Sequence, residues 1–194
     1  MTINFLLFDQ FETLDAFGPV EILGKPEGWT LNYYSLYGGT VVSTQSAPIV
    51  TQSLQKADPE GVLVIPGGMG TRSLVKDEAF IAALKEAAAK SAYCLTICTG
   101  SALLARTGLI TGKRATTNKR AFDWVVSVNP EVLWVKRARW VADGKYYTSS
   151  GVSAGMDMAL GFIRDLLGEP KACDIADKIE YTWHSDCNED PFAG

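Results

Sequence analysis

Histidine is nearly absent from this chain, and that absence narrows the chemistry first. His184 is the single histidine, and none of the four cysteines forms a Cys-x-x-Cys pair. A structural or catalytic zinc site built from cysteine and histidine is therefore not expected. The unpatterned cysteines suggest no disulfide framework and fit a reducing compartment, so the expected location is the cytoplasm. No apolar run reaches the roughly 18 residues that span a bilayer, so no membrane partner is expected. The N-terminal Met1-Thr2-Ile3-Asn4-Phe5-Leu6-Leu7-Phe8 lacks a basic segment and a cleavage site, and reads as a first strand rather than a signal peptide. Positive charge is scarce as well. The net charge is −4 with a pI near 5.1, which argues against a nucleic-acid partner. The one basic cluster, Lys136-Arg137-Ala138-Arg139, reads as a solvated strand or turn. Repeats, linkers and low-complexity segments are missing too. What remains is 194 residues, 47% of them hydrophobic, enough for one domain (1–194) with a core that needs neither metal nor disulfide.

Short apolar runs alternate with helical stretches, the pattern of a mostly parallel sheet covered by helices on both faces. Expected strands are 3–8, 31–35, 40–42, 62–65, 93–97 and 115–117, with further strands at 134–135, 140–142 and 146–149 around an Asp143-Gly144 turn. Asp-Gly between alternating hydrophobics is a strong hairpin signal. Expected helices cover 16–23, 78–90, the segment after Cys98, 121–126, 152–167 and 171–179. In such folds ligands bind beyond the carboxyl ends of the strands. Three of those ends stand out: the loop from Phe8 to Asp15, the loop from Ile65 to Gly70, and Cys98. If their strands are neighbours, all three meet at one cleft.

The run from Tyr93 to Ala105 holds the most information. An apolar strand ends at Cys98, and Thr99-Gly100-Ser101 opens a helix, so the cysteine sits at a strand-to-helix corner of the kind that exposes a nucleophilic serine in α/β hydrolases. Unpaired N–H groups at a helix start favour thiolate, so a lowered pKa is expected. A buried cysteine is also simply a small hydrophobe, which is the reading for Cys94. Asp15 is the best carboxylate partner, although an N-cap aspartate would look the same in sequence. Held beside a thiolate and away from water, its pKa should rise. Gly67-Gly68-Met69-Gly70 can converge N–H groups on a developing negative charge or can be a tight turn that needs glycine. Thr99 supplies an N–H and a hydroxyl, or a cap.

Together these motifs resemble the ThiJ/PfpI superfamily over almost the whole chain. They are Leu14-Asp15-Ala16-Phe17-Gly18-Pro19, Val64-Ile65-Pro66-Gly67-Gly68, Ile97-Cys98-Thr99-Gly100-Ser101, Leu109 to Thr117, Ser150 to Asp157, and the tail pieces Ile179-Glu180-Tyr181 and Asp190 to Gly194. The resemblance implies a flavodoxin-like doubly wound α/β fold of the class I glutamine amidotransferase type, with the hairpin as a small addition. Aspartate before Gly-Pro and threonine after the cysteine are similar to isonitrile hydratase-like members. This implies Cys98 as nucleophile, Asp15 as acid and base, Thr99 as a supporting group, a small-molecule substrate, a homodimer and no cofactor. Two positions depart from the family. Thr99 stands where protease-like and glyoxalase-like members carry histidine. Asn118-Lys119 replaces a His-Trp pair, so Asn118 would line the substrate site as a hydrogen-bonding group that cannot titrate. His184 could reach the cleft from the tail, but a lone histidine in an aromatic loop is more often structural. AraC-like relatives add a helix-turn-helix segment, for which this chain has no room. The alternative to an enzyme is a non-enzymatic thiol-based redox or ligand sensor of the same fold.

Overall fold

The computed structural model describes all 194 residues, Met1–Gly194. Its elements follow the alternation of the sequence. They are β1 (Thr2–Leu6), α1 (Thr13–Leu23), β2 (Thr30–Ser35), β3 (Gly39–Val42), β4 (Pro48–Ser53), β5 (Val62–Ile65), α2 (Thr71–Leu74), α3 (Glu78–Lys90), β6 (Tyr93–Thr96), α4 (Gly100–Arg106), β7 (Arg114–Ala115), α5 (Phe122–Val128), β8 (Leu133–Trp134), β9 (Trp140–Asp143), β10 (Tyr146–Ser149), α6 (Ala154–Leu167) and α7 (Glu169–Lys178).

Eight strands form one sheet in the order β3-β4-β2-β1-β5-β6-β10-β9. The pairs β2–β4, β1–β2, β1–β5, β5–β6 and β6–β10 are parallel, and only the two outer pairs, β3–β4 and β9–β10, are antiparallel. The central order β2-β1-β5-β6-β10 is that of a flavodoxin-like sheet, and the chain reverses direction across it between β1 and β5. Crevices at that reversal are where open α/β sheets bind ligands. β1, β5 and β6 are adjacent, so the three loops singled out in the sequence open at one place.

The middle strands are apolar because both their faces are covered. Every residue of β5 is buried, and Ile3, Phe5, Leu95 and Ile97 are fully inaccessible beside it. α3 is capped by Asp77, whose carboxylate accepts the Phe80 N–H at 3.0 Å, and it buries Phe80, Leu84 and Ala88. The Asp143-Gly144 hairpin forms as expected, with Tyr146 opposite Asp143 and Gly144 at φ 62°.

Three local readings need correction. β4 was not anticipated: Pro48 opens it and its residues alternate around a single buried Thr51, so the apolar signal of a half-exposed outer strand is weak. The strand near Trp134 does not join the hairpin but pairs in parallel with β7 in a separate two-stranded sheet. α1 begins at Thr13 after Glu12, which puts Asp15 in the first turn and makes it no cap. Its side chain turns inward instead. No helix is long and apolar enough to cross a membrane.

Candidate active site

Cys98 takes φ 56°, a left-handed conformation unusual for any residue but glycine. The surroundings hold this strained corner in place. Its N–H donates to the Ser150 carbonyl at 3.1 Å. Its carbonyl accepts the Ser101 and Thr117 hydroxyls, each at 3.0 Å. Gly100 must be glycine, because a Cβ there would press on the Ile65 and Pro66 carbonyls. The turn thus aims Sγ at the crevice while leaving Cys98 only 6% exposed.

Asp15 is completely buried, close enough to Cys98 for each group to act on the titration of the other. One carboxylate oxygen, Oδ2, accepts the Gly67 N–H at 2.9 Å. The other, Oδ1, has no protein partner. Burial pushes its pKa from 3.8 up to about 7, with the Gly67 bond opposing and the charge of Glu12 adding. This rise agrees with the expectation for a carboxyl group enclosed beside sulfur.

The thiol departs from expectation. It is pushed up to about 12, first by burial and then by the charge of Asp15. Hydrogen bonds from the Thr99 N–H, the Val152 N–H and the Asn118 side chain pull the other way. The helix that follows has only seven residues, and its N–H groups do not outweigh enclosure beside a carboxylate. At neutral pH the resting sulfur is a thiol.

The glycine loop also acts differently from a free anion nest. The N–H groups of its three glycines are already taken: Gly67 serves Asp15, Gly68 donates to the Thr99 hydroxyl at 3.1 Å, and Gly70 donates to the Gln10 carbonyl at 3.2 Å. Met69 stands at the rim, 59% exposed. A Cβ on Gly67 would lie 2.6 Å from the Thr99 nitrogen, 2.7 Å from its hydroxyl and 2.8 Å from Asp15 Oδ2. The loop therefore positions the acid and Thr99, and the N–H groups at the sulfur come from Thr99 and Val152. Thr99 caps α4 by position, yet its hydroxyl makes no cap bond. It lies 3.1 Å from the buried Thr71 hydroxyl instead.

A profile of the DJ-1/PfpI family matches residues 1–165. The chain belongs to that family. It is 31% identical over 185 residues to the isonitrile hydratase of Pseudomonas putida, covering 93% of this chain and 78% of that protein. It is 26% identical to a deglycase of Pyrococcus horikoshii, covering 77% of this chain and 89% of the relative. Among solved structures it resembles a ThiJ/PfpI family protein from Pseudomonas syringae with a TM-score of 0.86 and 26% identity, covering 93% of this chain and 74% of the other.

Within the DJ-1/PfpI fold, the two unusual positions of this chain part company. Asn118 accepts the Ala121 N–H at 3.0 Å through Oδ1, which fixes the amide and turns its NH₂ toward the sulfur. Gly151 makes room for that amide, since a Cβ there would collide with Nδ2. Lys119 points the other way. Its Nζ donates to the Ala138 carbonyl at 2.6 Å and to the Thr116 hydroxyl at 2.8 Å, and burial lowers it to about 8. His184 is exposed in its side chain and tied by its N–H to Asp157 Oδ1 at 3.0 Å, so the imidazole takes no part in the Cys98–Asp15 cluster.

Two contributors were missed in the sequence. Val152 holds φ 43°, rare for a β-branched residue, and that strain is what directs its N–H at sulfur. Only the flanking Gly151 hinted at it. Arg72, just past the glycine loop, lies over the Trp124 ring at 3.3 Å. Histidine, cysteine and acidic side chains nowhere gather in a group of three that could hold a metal ion. A cavity of about 410 Å³, lined by residues that include Asn4, Leu54, Leu63 and Ala87, lies apart from these site residues.

Proposed function

We propose that this chain is a cysteine-dependent small-molecule hydratase of the isonitrile hydratase type, with Cys98 as nucleophile and Asp15 as acid and base. The observation that carries this reading is a thiol beside a buried carboxyl group pushed up to about 7. An acid or base works best when its pKa lies near the operating pH.

An isonitrile, R–N≡C, has both its reactive electron pair and its electrophilic site on the terminal carbon. Ionised Asp15 takes the thiol proton and, now an acid, delivers it to that carbon as Sγ adds to the same atom. The product is a thioimidate, R–N=CH–S. While sulfur carries charge, the N–H groups of Thr99 and Val152 and the Asn118 amide face it, donors placed before charge develops. Asp15 then removes a proton from water as the water attacks the thioimidate carbon, and passes that proton to the nitrogen. In the R–NH–CH(OH)–S adduct Asp15 takes the hydroxyl proton, the C–S bond breaks to release R–NH–CHO, and the same proton goes to sulfur. Thr99 and Gly67 keep the carboxyl group and the thiol in register throughout.

The alternative, a thiol-based redox sensor, calls for an accessible low-pKa sulfur. Cys98 is buried and its thiol is raised, which favours the enzyme. We also propose a small-molecule substrate and a homodimer, which light scattering would read as about twice the 21.0 kDa of one chain.

The deciding experiment follows formamide release from a simple aliphatic isonitrile. Turnover is expected in the parent, with Cys98→Ala and Asp15→Asn each reduced by at least ~10²-fold, the usual weight of a nucleophile or acid–base group. A parent without turnover, or an active Cys98→Ala, would overturn the assignment.

A further inference from the structure

Arg72 follows Thr71, whose hydroxyl lies 3.1 Å from that of Thr99, in the short helix just past the glycine loop. Its guanidinium lies 3.3 Å over the centre of the Trp124 ring. This stack joins the segment after the glycine loop to α5, and α5 follows the segment that carries Asn118. Cation–π stacking fixes the plane of the guanidinium and leaves its edge, where the N–H groups point, free to bind. One edge nitrogen, Nη1, is buried and has no acceptor anywhere in the protein. An unmet buried donor on a charged group is costly, and because Arg72 as a whole is only half-buried, an acceptor from outside can reach the guanidinium and relieve that cost. The guanidinium is also near enough to Cys98 to respond to negative charge that develops on its sulfur.

We propose that Arg72, held flat on Trp124, is the specificity-determining residue of this site and receives a carboxylate carried by the substrate. The planar fork of arginine pairs with both oxygens of such a group, which lysine cannot do. The substrate class becomes an isonitrile bearing an acid on its R group, an extension that rests on the hydratase reading above.

The test has two arms, so that the two ideas can fail separately. The first needs no enzymatic turnover. Iodoacetate and iodoacetamide both alkylate Cys98, with Sγ displacing iodide, and differ in the carboxylate. Their rate ratio at Cys98, read by peptide mass spectrometry, reports a cation beside the sulfur. The ratio is expected to fall roughly tenfold in Arg72→Gln, the weight of one charge-assisted hydrogen bond. It is expected to recover in part in Arg72→Lys, and Arg72→Met keeps an apolar stem on Trp124 should the glutamine variant not fold. The second arm compares kcat/KM for isocyanoacetate with that for its ethyl ester, and the preference for the acid should fall by a similar factor in Arg72→Gln. An unchanged alkylation ratio overturns the role of Arg72. A parent that turns over neither isonitrile overturns the hydratase reading and leaves the alkylation arm to decide on Arg72.

Discussion

At the scale of the residue, enclosing Asp15 costs stability, and the proposed mechanism is what would use the enclosed carboxyl group. Its carboxyl group titrates near 3.8 when exposed and at about 7 in the folded chain. Between those values the folded protein keeps a proton that the unfolded chain has lost. Stability contributed at this position therefore falls as pH rises from about 4 to about 7 and stays low above that. Each pKa unit is about 1.4 kcal/mol, so the enclosed carboxylate costs on the order of a few kcal/mol at pH 8. Asp15→Asn removes the charge while its amide oxygen can still accept the Gly67 N–H. This variant should be more stable than the parent to urea at pH 8, and the gap should close near pH 4. Equal stabilities at pH 8 would contradict the enclosed carboxylate. Activity should run the opposite way: in the proposed mechanism only ionised Asp15 takes the thiol proton, so kcat/KM should rise through about pH 7.

The loop between β5 and α2 makes the corresponding case at the scale of the element. Three atoms lie within 2.8 Å of where a Cβ on Gly67 would sit: the Thr99 backbone nitrogen and the ends of two short, buried side chains, Thr99 and Asp15. Gly67→Ala must push Asp15 away from the sulfur or Thr99 away from the loop. Overpacking of this kind costs ~1–3 kcal/mol, which a domain of this size survives, while a shift of the acid of ~1 Å can cost about 10²-fold in rate. Gly67→Ala should thus give a folded protein by circular dichroism with formamide release reduced by about that factor. Near-parental activity would mean that the loop does not set the acid. This element also shows what the sequence could and could not convey. Strand, corner and glycine run were legible because each has a local signature: apolar β-branched residues, small residues at a turn, adjacent glycines. The occupation of the glycine N–H groups by Asp15 and Thr99 was not legible, because both partners lie far off in the chain. The thiol pKa was misjudged for the same reason, since a helix start is visible locally and burial is not. Val152 escaped notice because valine carries no sign of a positive φ.

At the scale of the whole molecule, the C-terminal segment closes the structure around a buried ion pair that no local pattern announced. Asp157, in the first turn of α6, accepts from Arg139 Nε at 2.6 Å, and the two side chains are 0% and 4% exposed. The same carboxylate accepts the Tyr181 hydroxyl and the His184 N–H, each at 3.0 Å, while the Asp157 carbonyl accepts Trp183 Nε1 at 3.1 Å. Further on, the Cys187 carbonyl receives the N–H groups of Arg139 and Trp140, and the Asp190 N–H donates to the Arg137 carbonyl. The tail is thereby laid along the start of β9, the exposed edge of the sheet, which would otherwise offer unpaired strand groups. The basic cluster read as a solvated turn proves half right: Arg137 is exposed in a pair with Glu189, whereas Arg139 is interior. Arg139 also reaches the Cys98 corner, for its carbonyl accepts the Ser150 N–H at 2.8 Å and the Ser150 carbonyl in turn receives the N–H of Cys98. Removing one partner of a buried pair costs more than the pair itself is worth, because the other charge stays enclosed. Asp157→Asn should therefore lower unfolding stability by about 3 kcal/mol, expose the chain beyond Tyr181 to limited proteolysis, and weaken the hold on Ser150 and Val152. A variant with parental stability whose tail resists protease would show that the segment is held by packing alone, and that the ion pair is incidental to the corner it underlies.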